Sequence, residues 1–365
     1  MPYFQAKNIR IAAIAAAVPQ ETVKVSDFGA RFGEEYCQKF SDSTGIREFR
    51  RTSPYQTASD LCYTAARQII NNKGIDPASI GALVFVAHST DYRRPATACV
   101  LHHRLGLSKD CAAFDISLGC SAFVYGLQVV GAMMQSSNID RALLLVGETL
   151  TKMTHPEDRS VAMLFGDGGG AVLLERSDDD EGIEGMLKSD GSGYRAIIAP
   201  AGGFRNMDAP HDIVQMPDGS RRTLYNTWMN GTDVYAFTIS DVPRTIKEFL
   251  ARTGREIDSY DCLAFHQANR YIHQQLAKKL KAAPARMPLC LDRYGNTSAA
   301  AIPLVLCDHY GTDYDEQRLS MLMCGFGVGL SWGVCSAKVA PCDILPVIET
   351  NDYYAEGIMS ATDLQ

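Results

Sequence analysis

Residues 112–127 read Ala112-Ala113-Phe114-Asp115-Ile116-Ser117-Leu118-Gly119-Cys120-Ser121-Ala122-Phe123-Val124-Tyr125-Gly126-Leu127. The first five have the length and composition of a strand, Ser117-Leu118-Gly119 makes a turn, and the run after Cys120 is helix-like. Comparable apolar runs stand at 9–17, 82–87, 142–146 and 171–174, with amphipathic helical segments such as 57–71 and 122–135 between them. Strands that are continuously apolar, not alternating, predict a sheet covered on both faces, an α/β architecture of the parallel kind.

The pattern then repeats. An acidic, polar break at Ser177–Glu181 suggests a hinge near Asp178, and a second series begins at Gly182. Its strand candidates are 262–265, 287–291, 320–324 and 330–334, with helices at 236–252 and 269–280. Two halves of similar length, 1–177 and 178–340, are therefore expected, followed by an acidic tail at 341–365. Residues 200–222, rich in Gly, Pro, Asp and Arg, read as a surface excursion. A chain of 365 residues is long enough for about two domains.

Composition excludes several classes. The 46% hydrophobic and 21% charged fractions are those of a folded globular chain, not a disordered one. With 35 Lys and Arg against 42 Asp and Glu, the net charge of −7 argues against nucleic-acid binding, which needs clustered excess cation. No run approaches the roughly 18 apolar residues of a membrane span. The start of the chain lacks the basic-then-apolar form of a signal peptide. Eleven scattered cysteines, with no C-x-x-C pair, point to neither a disulfide framework nor a metal site, so a cytoplasmic location is expected.

Four places could carry chemistry. Cys120, at a strand-to-helix turn, would sit at the positive end of a helix dipole, where amides lower a thiol pKa and could hold an oxyanion. His266 ends the apolar run 262–265. Asn296 opens a small-residue helix that closes at Pro303. The fourth place is the glycine-rich turn Cys324-Gly325-Phe326-Gly327-Val328-Gly329. Each has a plain structural explanation taken singly: an inert buried cysteine, a satisfied core histidine, an N-cap, a tight turn.

Together they match a pattern. From about Ile9 to Lys338 the sequence closely resembles the 3-oxoacyl-acyl-carrier-protein synthase III enzymes, the initiating condensing enzymes of the thiolase superfamily. The landmarks are Thr44-Gly45-Ile46-Arg47, the Cys120 turn, Phe165-Gly166-Asp167-Gly168, Met229-Asn230-Gly231, His266-Gln267-Ala268-Asn269, Leu291 to Ser298, and the Gly327 loop. The resemblance implies a thiolase fold, a five-layered αβαβα sandwich of two duplicated halves, usually a homodimer. It implies Cys120 as nucleophile, His266 and Asn296 as donors to a malonyl thioester carbonyl, and the Cys120 and Val328 amides as oxyanion hole. Arg47, Arg159, Asn230, Gly231, Asn269, Phe326 and Gly327 would bind substrate. Arg94 would close an acyl pocket, and Arg270, Lys278 and Lys279 would dock an acidic acyl carrier protein. Asp115, Glu148 and Asp167 would be structural.

The implied reaction is decarboxylative condensation of an acyl-CoA or acyl-carrier thioester with malonyl-acyl carrier protein, without a cofactor. Departures bear on the donor. Lys39-Phe40-Ser41-Asp42-Ser43 lacks the Trp and Arg that CoA-binding relatives carry before Thr44, Ala236 replaces a Lys, and Arg94 stands where relatives are often apolar. Three other readings compete. Simple acyl transfer to an alcohol or amine would not need both His266 and Asn296. A degradative thiolase would need a second cysteine, and Cys324 is out of register. A non-catalytic partner subunit would usually lose the nucleophile. A dinucleotide site is disfavoured, because Gly166-Asp167-Gly168-Gly169-Gly170 precedes a strand, not a helix.

Overall fold

The computed structural model describes residues 3–178 and 182–364. A six-stranded sheet has the order Ile348–Thr350, Ile9–Pro19, Gly168–Arg176, Arg141–Glu148, Ala82–Val86, Ala112–Ile116. A five-stranded sheet has the order Tyr3–Lys7, Gly182–Ser189, Ser331–Val339, Leu319–Gly327, Cys262–Phe265. Both sheets are mixed, not wholly parallel as expected. Gly168–Arg176 runs antiparallel to both its neighbours, and in the second sheet only Cys262–Phe265 with Leu319–Gly327 is parallel.

Alternation along the strands builds the layers. On Ala82–Val86, Leu83 and Phe85 join one core with Leu61 and Ile69 of the outer helix Ala58–Lys73. Val84 and Val86 face the other way, into a core shared with Phe123, Leu127 and Leu304 of the central helices Ala122–Gln135 and Ala301–Tyr310. In the second sheet Met321 and Met323 join that same central core, while Leu322 and Phe326 pack with Phe249 and Leu276 of the outer helices Gly231–Thr253 and Arg270–Leu280. Five layers, αβαβα, enclose three cores. Strands buried on both faces account for the continuous apolar runs.

The glycine run earlier weighed as a phosphate loop is a packing device instead. A Cβ on Gly169 would lie 2.6 Å from the Cys62 amide nitrogen of the outer helix, and one on Gly170 would lie 2.4 Å from Pro303 Cγ of the central helix. Without side chains, the strand lets helices close on it from both sides.

Three sequence expectations need correction. No strand forms at 287–291. Pro288 has no N–H to give a ladder, and the Gln267 side chain takes the local backbone groups instead, donating to the Phe265 and Pro288 carbonyls and accepting from the Cys290 amide. Pro303 does not close a helix; it stands in the first turn of Ala301–Tyr310, where its missing N–H costs nothing. The segment after 341 is no loose tail, since Ile348–Thr350 pairs in parallel with Ile9–Pro19 and extends the first sheet. Beyond it, the Tyr354 amide bonds Asp60 and the Tyr92 hydroxyl donates to the Gly357 carbonyl at 2.5 Å. At the other end, Tyr3–Lys7 crosses to the second sheet. The break at 177–181 falls partly outside the described residues.

The excursion at 200–222 is anchored as well as exposed: Phe204 is 80% exposed, but Arg222 is buried against Asp158 at 2.9 Å. Among the described residues no helix is long and apolar enough to cross a membrane, and no group of three or more His, Cys, Asp and Glu could hold a metal ion.

Candidate active site

A cavity of about 600 Å³ opens between the halves, lined by Cys120, His266, Asn296, Ser298, Phe326 and Val328 among others. Strand Ala112–Ile116 and the Gly119 turn deliver Cys120, one residue before Ser121 at the start of the first central helix. Ser121 bonds the Ser331 hydroxyl at 2.7 Å and makes no side-chain cap to the helix, whose first amide, Ala122, bonds the Gly119 carbonyl. The Cys120 sulfur lies 3.4 Å from the Ser298 hydroxyl. Gly327 is compulsory here, because a Cβ on it would fall 2.6 Å from Cys120 Cβ and 2.7 Å from its sulfur.

The thiol is not poised as the helix dipole alone predicts. Burial pushes the Cys120 pKa up, the Ser298 hydroxyl and the Val328 amide pull it back, and the nearby Glu148 carboxylate pushes it up again. Loss of water outweighs the hydrogen bonds that favour the thiolate.

His266 prolongs its strand, its amide bonding the Cys324 carbonyl at 2.8 Å, and stands edge-on to Phe326 with ring centres 5.3 Å apart. Burial and the neighbouring His273 lower its pKa to about 3, with the Ser298 carbonyl acting the other way, so the ring is neutral. His273 Nε2 lies 2.9 Å from the His266 carbonyl. Asn296 is clamped through its backbone to Leu164 and Gly166. Its Oδ1 accepts from the Ser298 amide at 3.0 Å, which leaves the NH2 to donate. Ser298 holds a left-handed φ of 49°, the kind of backbone strain that gathers at functional sites.

The other expected residues divide. Gly231, Asn269, Phe326 and Gly327 line the cavity. Asn230 and Asn269 also cap the two outer helices, through the Thr232 and Asp233 amides and the Ile272 amide respectively. Arg47, Arg159 and Arg94 do not line it. Arg47 and Arg94 are exposed, and Arg159 lies 4.6 Å from the centre of the Tyr36 ring. Arg270 donates to the Asp42 carbonyl at 2.5 Å, while Lys278 and Lys279 are exposed in the last turn of their helix. Asp115, Glu148 and Asp167 each accept from two or more backbone amides.

Sequence reasoning passed over His88 and the role of Ser298. His88 also lines the cavity, and its signal was the same as that of His266: a polar residue just past a buried strand.

The 3-oxoacyl-[acyl-carrier-protein] synthase III model matches residues 114–191, and its C-terminal counterpart matches residues 250–339. A beta-ketoacyl-[acyl-carrier-protein] synthase III of Alkalilimnicola ehrlichii is 33% identical over 328 residues, 89% of this chain and 97% of that protein. One from Caldanaerobacter subterraneus is 34% identical over 79% of this chain and 85% of its own length. The chain belongs to the beta-ketoacyl-[acyl-carrier-protein] synthase III family. A solved 3-oxoacyl-(acyl-carrier protein) synthase from Burkholderia xenovorans superposes with a TM-score of 0.90 at 36% identity, covering 96% of this chain and 99% of that one. The priming β-ketosynthase of the R1128 polyketide pathway, at 24% identity and a TM-score of 0.78, shares the fold. The five layers are those of the thiolase fold, and the chain is an acyltransferase of the synthase III type.

Proposed function

We propose that Cys120, His266 and Asn296 carry out decarboxylative condensation of an acyl thioester with malonyl-acyl carrier protein. The observation that carries this reading is their convergence on one cavity, with the Val328 amide close enough to the sulfur to lower its pKa. Cys120 attacks the acyl thioester, the acyl group moves to its sulfur, and the cysteine proton leaves on the departing thiol. The malonyl thioester then enters with its carbonyl toward His266 and Asn296. Loss of carbon dioxide leaves an enolate whose oxygen takes hydrogen bonds from the neutral imidazole and the Asn296 NH2. The enolate carbon attacks the acyl-cysteine carbonyl, whose oxyanion rests on the Cys120 and Val328 amides. Collapse gives the 3-oxoacyl carrier, and Cys120 recovers a proton. No cofactor is needed. The pair of donors favours condensation over simple acyl transfer.

Phe326 and Gly327 shape the acyl end, while Gly231, Asn269 and Asn230 flank the path of the pantetheine arm, with Arg47 and Arg159 toward its nucleotide or carrier end. The enzyme acts in the cytoplasm as a homodimer. Strand Ala112–Ile116 supports the dimer: it pairs on one side only and leaves Phe114 and Ile116 half-covered. Such an edge invites a second copy. Arg94, exposed in the segment between strand Ala82–Val86 and helix Thr97–Arg104, would reach the partner's acyl pocket.

Peptide mapping after incubation with a panel of acyl-CoA and acyl-carrier donors is expected to find the acyl group on Cys120, and labelled malonyl carrier is expected to release labelled carbon dioxide. An unmodified Cys120, or no carbon dioxide, overturns the reading. The same panel tests Arg94, since R94F is expected to change the donor preference. Lys278 and Lys279, with Arg270 behind them, would meet the acidic carrier. Reversing both lysine charges is expected to slow the malonyl-carrier step several-fold at low salt and progressively less as salt rises; an unchanged rate removes the docking role.

A further inference from the structure

The cavity holds a second imidazole that the condensation does not use. His88 follows strand Ala82–Val86 and lines the same cavity as Cys120. The ring sits directly against the residue before the nucleophile. A Cβ on Gly119 would fall 3.0 Å from His88 Nδ1 and 3.0 Å from Val328 Cγ1. Behind the ring, Nδ1 stands 3.6 Å from an oxygen of Glu148, an ion-pair distance and not a hydrogen bond, and 34% of the His88 side chain is open.

Glu148 does not need the ring. Its fully buried carboxylate already accepts from the His88 amide at 2.9 Å, the Ser89 amide at 3.1 Å and the Ser89 hydroxyl at 2.6 Å. It holds the residue through the His88 amide, and its charge faces Nδ1. A carboxylate facing Nδ1 favours the tautomer with the proton on that nitrogen, leaving Nε2 a lone-pair acceptor. A straight alkyl chain leaving Cys120 would give that acceptor nothing. An imidazole lining the cavity beside Cys120 is matched better by an acyl chain that can hydrogen-bond it than by a straight alkyl chain.

We propose that His88, held by Glu148, is a specificity-determining residue that selects acyl donors bearing a hydroxyl within the first few carbons of the thioester. The inference rests on the reading of Cys120 as the acylated residue. It fits the departures noted in the sequence, because both an imidazole in the cavity wall and an altered CoA-binding segment set this chain's donor apart from a plain short acyl-CoA.

The test is a competition between butyryl and 3-hydroxybutyryl thioesters, each on CoA and on carrier, with acylation of Cys120 followed by peptide mass. The wild-type enzyme is expected to favour the hydroxylated donor at least tenfold in kcat/KM. H88F is expected to invert the ratio, and H88Q, which keeps an acceptor, to retain most of it. Absence of a wild-type preference, or the same ratio in wild type and H88F, overturns the role of His88 while leaving the acyl-cysteine reading intact. Failure of every donor to modify Cys120 overturns that reading itself, and this inference with it.

Discussion

In the first half, the order is strand 82–86, helix 97–104, edge strand 112–116, then the central helix 122–135 that begins beside Cys120. In the second half, the same order runs strand 262–265, helix 270–280, then an irregular stretch at 284–290 where the edge strand would be, and finally the central helix 301–310 that follows Asn296. One route delivers Cys120, the proposed nucleophile, through a regular ladder that fixes the backbone leading to it. The other carries His266 off the end of strand Cys262–Phe265 and reaches Asn296 through an irregular stretch, held by Gln267 stitching Pro288 and Cys290, by the Asn296 side chain closing its own turn onto Ser298, and by backbone bonds of Asn296 to Leu164 and Gly166. The places of Cys120 and His266 are thus set by the sheets, and that of Asn296 by a few polar contacts in an irregular stretch. Acylation and decarboxylation are accordingly expected to be separable by mutation.

The sharpest separation comes from Asn296→Ala. It removes one of the two donors proposed for the enolate oxygen and leaves the Cys120 sulfur, the Val328 amide and the first sheet in place. Labelled carbon dioxide release is expected to fall about 10²–10³-fold, the usual cost of an oxyanion-type donor, while burst acylation of Cys120 falls far less. Equal losses in both steps would show that the two routes are not independent.

The same contrast explains what could be read in the chain beforehand. Buried strands and the helices between them announce themselves by continuous apolar runs, because both faces of each sheet are covered. Cys120, His266 and Asn296 were legible through motifs in register. The second half's missing edge strand was not: 287–291 is as apolar as a strand, and only Pro288 hints that Gln267 takes over its backbone groups. The pairing of Ile348–Thr350 was hidden because three residues carry too little periodicity to signal a strand. His88 gives the same local signal as His266, a polar residue just past a buried strand, but it belongs to none of the motifs, and that signal alone does not tell a cavity-lining histidine from one at a surface turn. The direction of the Cys120 shift was hidden because burial is a tertiary property.

Gln267→Leu tests the loop side of the comparison directly. The side chain is fully buried, and its loss orphans the Phe265 and Pro288 carbonyls and the Cys290 amide. Each buried orphan costs about 1–3 kcal/mol, so chemical unfolding is expected to show a loss of several kcal/mol. Above that threshold, at low temperature, carbon dioxide release is expected to fall more than Cys120 acylation, because the stretch that loosens leads to Asn296. A fall in acylation alone would reverse the assignment of rigid and stitched routes.

The smallest effect concerns acid, where the halves have opposite signs. In the second half, burial lowers His266 to about 3 and His273 to about 4 from an ordinary 6.5. Both rings stay neutral in the folded protein while the unfolded chain takes up protons, so stability present above about pH 6.5 is lost as pH falls toward those values. In the first half, burial pushes the Asp91 and Asp167 carboxyls up, so the folded protein binds their protons first and gains stability as pH falls through the carboxylate range. His273 lies outside the proposed chemistry; its Nε2 lies 2.9 Å from the His266 carbonyl, and it adds to the lowering of the His266 pKa. In His273→Gln, unfolding free energy measured between pH 7.5 and 5 at about half-unit steps is expected to lose roughly one proton's share of the acid slope, of order 1 kcal/mol per pH unit. A slope identical to wild type would mean that acid sensitivity does not reside in the second half's buried imidazoles, and the contrast between the halves would then be one of geometry alone.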